Sequence, residues 1–418
     1  MENPVQKDSK NLTRYKNELD KCTLCGNCRM ICPVFKVNQR ETASTRGRIS
    51  LMHGLLHQPN IKFTPRSVDY LKMCLNCQSC MRVCPPKVDY GHLITAARAD
   101  YAAMKENGYF KTFFYTRILT VNKYRDLFYR YLSRIQHLFF KNQQKKNFIS
   151  RFIYNLFNFD SERIFPLIAK DNFFARKMRS KVDGIHNKRI ALFIGCSARY
   201  LNPETTEHLI DLLRRNKIQV LIPKDQLCCG KPAFNAGELA AAGRMAMVNL
   251  SIFNNIQDVS AIVTMCGSCQ DMLTAEYSTL ASETGFKLPV IDIMEFIKKE
   301  RIQLKPRYSD LKITYHHPCS INKGGSYKEL ITELIKDVYK DKFVESSKAE
   351  NCCGGGLAFG LSFYQTAKAI SSEKVADILA SGADVVTTGC PHCLMRIEEQ
   401  AKVEKHELMV KHLIDIFD

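Results

Sequence analysis

The chain has 418 residues, 45% of them hydrophobic, enough to bury two or three cores of ordinary domain size, so overall disorder is excluded. Its 61 Lys and Arg residues outweigh 42 Asp and Glu to leave a net charge of +19, and 13 of those charges lie between Lys105 and Arg189. No apolar run reaches the roughly 18 to 20 residues of a spanning helix, and the polar start MENPVQKDSKNLTRYKNELD lacks a secretory apolar segment, so a cytoplasmic location is expected.

Eighteen cysteines in a reducing compartment point to metal or redox chemistry rather than disulfides. The first eight form a repeat, Cys-x2-Cys-x2-Cys-x3-Cys-Pro, seen as CTLCGNCRMICP from Cys22 and as CLNCQSCMRVCP from Cys74, offset by 52 residues. Three cysteines spaced in this way can wrap one iron-sulfur cluster, and the Cys before Pro can reach a second, as in bacterial two-cluster ferredoxins. The expected ligand sets are Cys22, Cys25, Cys28 and Cys84 for one 4Fe-4S cluster, and Cys74, Cys77, Cys80 and Cys32 for the other. Zinc knuckles are the competing reading, but they need only paired Cys-x2-Cys sets and have no use for the third Cys and trailing Pro. Between the two runs, TASTRGRISLMHGLLHQ contains Arg46 and Arg48, which lie either near a cluster, favouring its reduced state, or on a solvated helix start.

Next in order, HLITAARADYAAMKE reads as a helix leaving the second run, with further helices continuing to about residue 180. Residues 109 to 174 hold 19 of the chain's 41 Phe and Tyr residues, interleaved with Lys and Arg, including Lys141, Lys145 and Lys146. This pattern fits amphipathic helices lying on the inner face of the cytoplasmic membrane, or a packing layer whose charges are simply solvated. No nucleic-acid-binding module accompanies the charge, so no nucleic-acid partner is expected.

From Lys188 onward, strand and helix alternate. The stretches ALFIG, QVLIP and AIVTM, then KITYHH, FVE and DVVTT, read as short buried strands, and TTEHLIDLLRRN, GELAAAGRMAMVNLSIF and FYQTAKAISSEKVADILA as helices. A second repeat runs through them. Cys196 maps to Cys319 at an offset of 123, and Cys228, Cys229, Cys266 and Cys269 map to Cys352, Cys353, Cys390 and Cys393 at 124. Cys196, Cys266, Cys319 and Cys390 follow strands, at the carboxyl edge where open α/β sheets place ligands. His316, His317 and His392 adjoin these thiols; a proton-donor or outer-sphere role is one reading, and a hydrogen-bonded structural histidine the one expected.

The expected architecture is α+β / α/β in class, with a helical two-cluster ferredoxin-like domain (1–104), a basic aromatic helical segment (105–188) and two duplicated α/β half-domains (189–308 and 309–418). Five thiols per half exceed the four that a cubane or a structural zinc uses, the competing readings here. The pattern of Cys, Cys-Cys-Gly and Cys-x2-Cys resembles the CCG domain of heterodisulfide reductases and related iron-sulfur subunits, which implies one or two further 4Fe-4S centres of a non-cubane kind. The order of two ferredoxin runs and two CCG halves is similar to the iron-sulfur subunits of glycolate oxidase and of anaerobic glycerol-3-phosphate dehydrogenase; STRGRISLM carries the first likeness, LFIGCSARYLNP and CCGKPAFNAG the second. That resemblance implies an electron conduit between an FAD-containing dehydrogenase subunit and the quinone pool or another membrane acceptor. All ten CCG cysteines are present, as in heterodisulfide reductases, so disulfide reduction at the paired centres is the rival reading. No Gly-rich dinucleotide fingerprint, phosphate-binding loop or haem attachment motif is found, so the chain is not expected to bind FAD or NAD itself.

Overall fold

The computed structural model describes residues 10–104, 113–139, 160, 162–176, 188–281, 285–321 and 325–418. Lys141, Lys145 and Lys146 lie outside the described residues.

In the amino part, each cysteine run is a tight loop followed by a short helix, Asn27–Ile31 in the first and Ser79–Arg82 in the second. Leu24 and Gly26 adopt positive φ in the first run, and Asn76 and Gln78 adopt it at the corresponding places of the second. Left-handed residues between the cysteines curl the chain so that successive thiols turn inward, a backbone cost that ordinary loops avoid. Pro33 opens the helix Pro33–Asn38 directly behind Cys32, where its missing N–H and fixed φ are no handicap. The helix Tyr90–Met104 is buried on nearly every face and forms the centre of this part, with Leu93, Ile94 and Ala97 packed against Met52, Leu55 and Leu71.

The described part of the basic aromatic segment packs on one side and is exposed on the other. Tyr115 and Leu119 join a core of the α/β part. In the helix Asn122–Phe139, Arg125 donates to the Tyr200 hydroxyl at 2.9 Å, both carboxylate oxygens of Asp126 accept from Arg199 Nη2 at 2.8 Å, and Tyr129 stacks on Tyr200 with centroids 4.1 Å apart. Leu127, Tyr131 and Leu138 remain exposed. The sequence pattern predicts helix as far as about residue 180. Residues 162–176 instead run as coil with one 3-10 turn, Phe173–Ala175. Pro166 lacks an amide hydrogen, and the Gln136 side chain satisfies the coil's backbone by donating to Pro166 O at 2.7 Å and accepting from Ile168 N at 2.9 Å.

The α/β part contains two parallel sheets. Strands β1 (Lys188–Phe193), β2 (Ile218–Leu221), β3 (Ile262–Thr264) and β4 (Val290–Asp292) lie in the order β2-β1-β3-β4. Strands β5 (Ile313–Tyr315), β6 (Val385–Thr388) and β7 (Met409–His412) lie in the order β5-β6-β7. In the central strands, Ile190–Phe193 of β1 and all four residues of β6 are buried, because both faces are covered there. The second sheet repeats the first, except that FVE, expected as a strand, meets β5 only through one parallel bridge, Ile313 to Phe343, where β2 would stand. One core spans both halves, bringing Ile190, Leu192 and Val263 together with Ile313, Val385 and Leu413. The carboxyl edges face each other: Gly267 N donates to Gly389 O at 3.0 Å, and His412 Nε2 lies 2.9 Å from Met265 O. Among the described residues, no helix is long and apolar enough to cross a membrane.

Candidate metal centres

All eighteen cysteines are free thiols. The structure gathers them into four neighbourhoods. In the first, Cys84 from the second run joins Cys22 and Cys25; burial raises the Cys22 thiol, and charge on Cys84 and Cys25 adds to the rise. Cys28 is raised in the same way, by burial and then by Cys22 and Cys25. Cys25 is exposed, so this set opens to the surface. Arg46 lies beside it, donating to Leu24 O at 3.3 Å while paired with Glu41 at 2.7 Å.

In the second neighbourhood, Cys32 crosses to the other run. Burial pushes its thiol up to about 11, and Cys77 and Cys74 contribute to the rise. Burial also raises Cys80, whose thiol neighbours are Cys77, Cys74 and Cys32. Arg48 is 1% exposed and donates to the carbonyls of Tyr70, at 2.7 Å, and Met73, placing a buried cation at this set rather than a solvated one. A chain rich in thiols that favour their neutral form must shed protons to bind metal, so binding couples to pH.

In the first half-domain, Cys196 hydrogen-bonds Cys228, Cys228 contacts Cys229, and Cys269 touches both Cys229 and Cys266. Bonds from Cys196 and Cys229 hold Cys228 well below the usual thiol range, the thiolate form that metals take. The five line one cavity, whose wall is completed by Pro391, His392 and His412 from the second half. Gly195, at φ +68°, leaves room here: a Cβ would stand 3.0 Å from the Cys269 sulfur.

The second half repeats three of these contacts. Cys352 bonds Cys319, and Cys393 bonds Cys353 and Cys390. Gly355 repeats the close approach, since a Cβ would lie 3.0 Å from the Cys353 sulfur and 2.9 Å from His392 O. Ser268 of the first half lies 3.4 Å from the Cys390 sulfur, linking the halves. One contact leaves the repeat altogether. Cys352 also bonds Cys77 of the second neighbourhood, and that bond pushes the Cys77 thiol down to about 6 against the opposing effect of burial. Convergent thiols, with backbone held close where a side chain would intrude, fit the metal chemistry of an iron-sulfur protein.

Comparison with known proteins agrees with this arrangement. Residues 18–88 match the 4Fe-4S dicluster domain, and residues 190–274 and 313–398 each match the cysteine-rich CCG domain. The chain is a CCG-domain iron-sulfur protein. This CCG protein is 26% identical to a probable glycolate oxidase iron-sulfur subunit of Bacillus subtilis, over 96% of its own length and 94% of that chain's. It is 25% identical to an uncharacterised iron-sulfur protein of Methanococcus maripaludis, covering 89% and 80% of the two chains. It is also 27% identical to a fumarate reductase (CoM/CoB) subunit of Methanothermobacter marburgensis, over 55% of this chain and 46% of the relative.

Two side chains that the sequence did not single out bind the dicluster part to the first CCG half. Arg98, buried, donates to Cys74 O at 2.7 Å, Leu71 O at 2.9 Å and Asn235 O at 2.8 Å, fixing the loop that carries Cys74. A lone Arg within the apolar helix HLITAARADYAAM is the signal that was available. His92 bridges Asp89, at 2.6 Å, and Glu276 of the first half, at 2.9 Å; hydrogen bonds to Asp89 and then Glu276 push its pKa up to about 10.

Proposed function

We propose that the chain relays electrons from a flavin-dependent dehydrogenase subunit, of the glycolate and 2-hydroxy acid or the glycerol-3-phosphate type, towards the quinone pool. The observation that carries this reading is the Cys77–Cys352 contact, which joins the dicluster thiols to the CCG thiols without an intervening insulating layer. In this proposal Cys22, Cys25, Cys28 and Cys84 hold one 4Fe-4S cluster, Cys74, Cys77, Cys80 and Cys32 hold the other, and the ten CCG cysteines hold one or two further centres. When bound, such clusters supply one-electron chemistry over a wide range of potential. The chain's own residues supply position and field. Exposed Cys25 sets one end of the array at the surface, Arg46 and Arg48 place positive charge beside the dicluster thiols, and Ser268 ties the two CCG halves at Cys390. The exposed face of the helix Asn122–Phe139, where Leu127, Tyr131 and Leu138 share the surface with Arg130 and Arg134, supports peripheral attachment to the inner face of the membrane.

Cys77→Ala, assayed with the partner dehydrogenase, is expected to lose iron and to stop quinone reduction while the partner's flavin is still reduced by its substrate. Unchanged iron and unchanged quinone turnover would refute the reading. A second reading, disulfide reduction at the CCG pair, is favoured by two complete thiol sets that face each other. It predicts that the purified chain alone oxidises a dithiol in the presence of an electron acceptor.

A further inference from the structure

The two CCG halves repeat their thiols pair by pair but not their surroundings. Cys319–Cys352, Cys353–Cys393 and Cys390–Cys393 reproduce Cys196–Cys228, Cys229–Cys269 and Cys266–Cys269. The offset of 123 that carries Cys196 onto Cys319 carries Phe193 onto His316. Phe193 is fully buried, packs against Phe253 with ring centroids 5.6 Å apart and offers no donor atom. His316 is equally enclosed, at 2% exposure, yet one ring nitrogen and the sulfurs of Cys353 and Cys393 all lie within 4.8 Å of one another. Its Nδ1 is buried with no oxygen or nitrogen hydrogen-bond partner among the described residues, and the group its ring does meet is the Cys353 thiol, to which it hydrogen-bonds; a core histidine is ordinarily satisfied by a carbonyl or carboxylate instead. The neighbouring histidines are placed otherwise: His317 meets the Tyr315 ring edge-on with centroids 4.6 Å apart, and His392 serves Cys390.

We propose that His316 is a metal ligand, its ring nitrogen joining Cys353 and Cys393, so that the second CCG half holds a mixed imidazole–thiolate centre while the first is held by thiolates alone. This rests on the reading that the CCG thiols hold metal. A first-row ion bound at about 2.0 Å to nitrogen and 2.3 Å to sulfur keeps its ligands within roughly 4 Å of one another, so these three atoms need to close by less than about 1 Å. A neutral imidazole also leaves the centre less negative than thiolates alone, which places its potential above that of its counterpart in the first half.

The test is the metal content of the full-length chain, purified without oxygen, in four variants. Cys393→Ala defines the metal that belongs to the second half. His316→Phe, which copies the first half, and His316→Gln, which keeps hydrogen bonding but is a poor ligand, are expected to lose that same complement. His316→Cys is expected to retain it. Full metal in the Phe or Gln variant, equal loss in the Cys variant, or no loss in Cys393→Ala would each overturn the proposal. Iron kept by the dicluster thiols in all four separates that outcome from failure of the relay reading.

Discussion

The junction between the dicluster part and the first CCG half should weaken as pH rises, and His92 is the group responsible. Its folded pKa of about 10 lies above the ordinary 6.5, so the folded chain keeps a proton that the unfolded chain sheds. Stability from the Asp89–His92–Glu276 bridge is therefore complete below pH 6.5, declines across the interval from 6.5 to 10, and is gone above it. At 1.36 kcal/mol per pH unit that interval corresponds to ~5 kcal/mol. Asp89 is 41% exposed and its pair with His92 is local in sequence, so water screens much of this and about 2 kcal/mol is the figure to expect. Glu276, with 3% exposure, carries most of what remains. Thermal unfolding of wild type, His92→Gln and Glu276→Gln, followed without oxygen from pH 6 to 10, measures the effect. Both variants should be less stable than wild type at pH 6 and converge on it near pH 10. Parallel pH curves for all three chains would refute the assignment.

Other outcomes follow from the same geometry. Arg98→Met strips donors from buried carbonyls of Leu71, Cys74 and Asn235, a loss of about 3 to 6 kcal/mol at 1 to 2 per unmet group, and chelator-driven iron release should accelerate from the second dicluster set before the first. Gly195→Ala places a Cβ 3.0 Å from the Cys269 sulfur at positive φ, adding about 1 to 2 kcal/mol of backbone strain, and should lower metal content in the first CCG half alone. Replacing Leu127 and Tyr131 with Glu should release the chain from anionic vesicles in a flotation assay; retention at equal affinity would remove the membrane contact.

Both repeats were legible because thiol chemistry fixes spacing. Metal ligands must arrive from set positions, whatever the intervening residues are. The central strands β1, β3 and β6 were legible from short apolar stretches, Ile190–Phe193, Ile262–Val263 and Val385–Val386. Strands β4 and β7 were not, because both are partly exposed edge strands, Val290–Asp292 ending in an acidic residue and Met409–His412 containing Lys411. FVE carried the right pattern at the right place in the repeat but closes only one bridge. The coil at 162–176 is hidden in the sequence because its aromatic residues mimic a helical face while Gln136, distant in sequence, satisfies its backbone. At the site, the thiols were evident, whereas Arg48, Arg98 and His92 take their roles from tertiary partners that no local pattern reveals. The sequence alone reads His316 as a structural histidine; only the fold sets its buried ring beside the sulfurs of Cys353 and Cys393.

Everything functional in this account depends on inorganic sulfide and iron being held by the dicluster thiols. Iron and acid-labile sulfide analysis of anaerobically reconstituted full-length chain, wild type beside a variant with Cys22, Cys25, Cys74 and Cys77 all changed to Ala, tests it directly. Wild type should be brown, and its iron and sulfide should exceed those of the variant by about eight atoms each per chain, as two 4Fe-4S clusters require. A colourless wild type, or equal sulfide in the two proteins, would contradict the account.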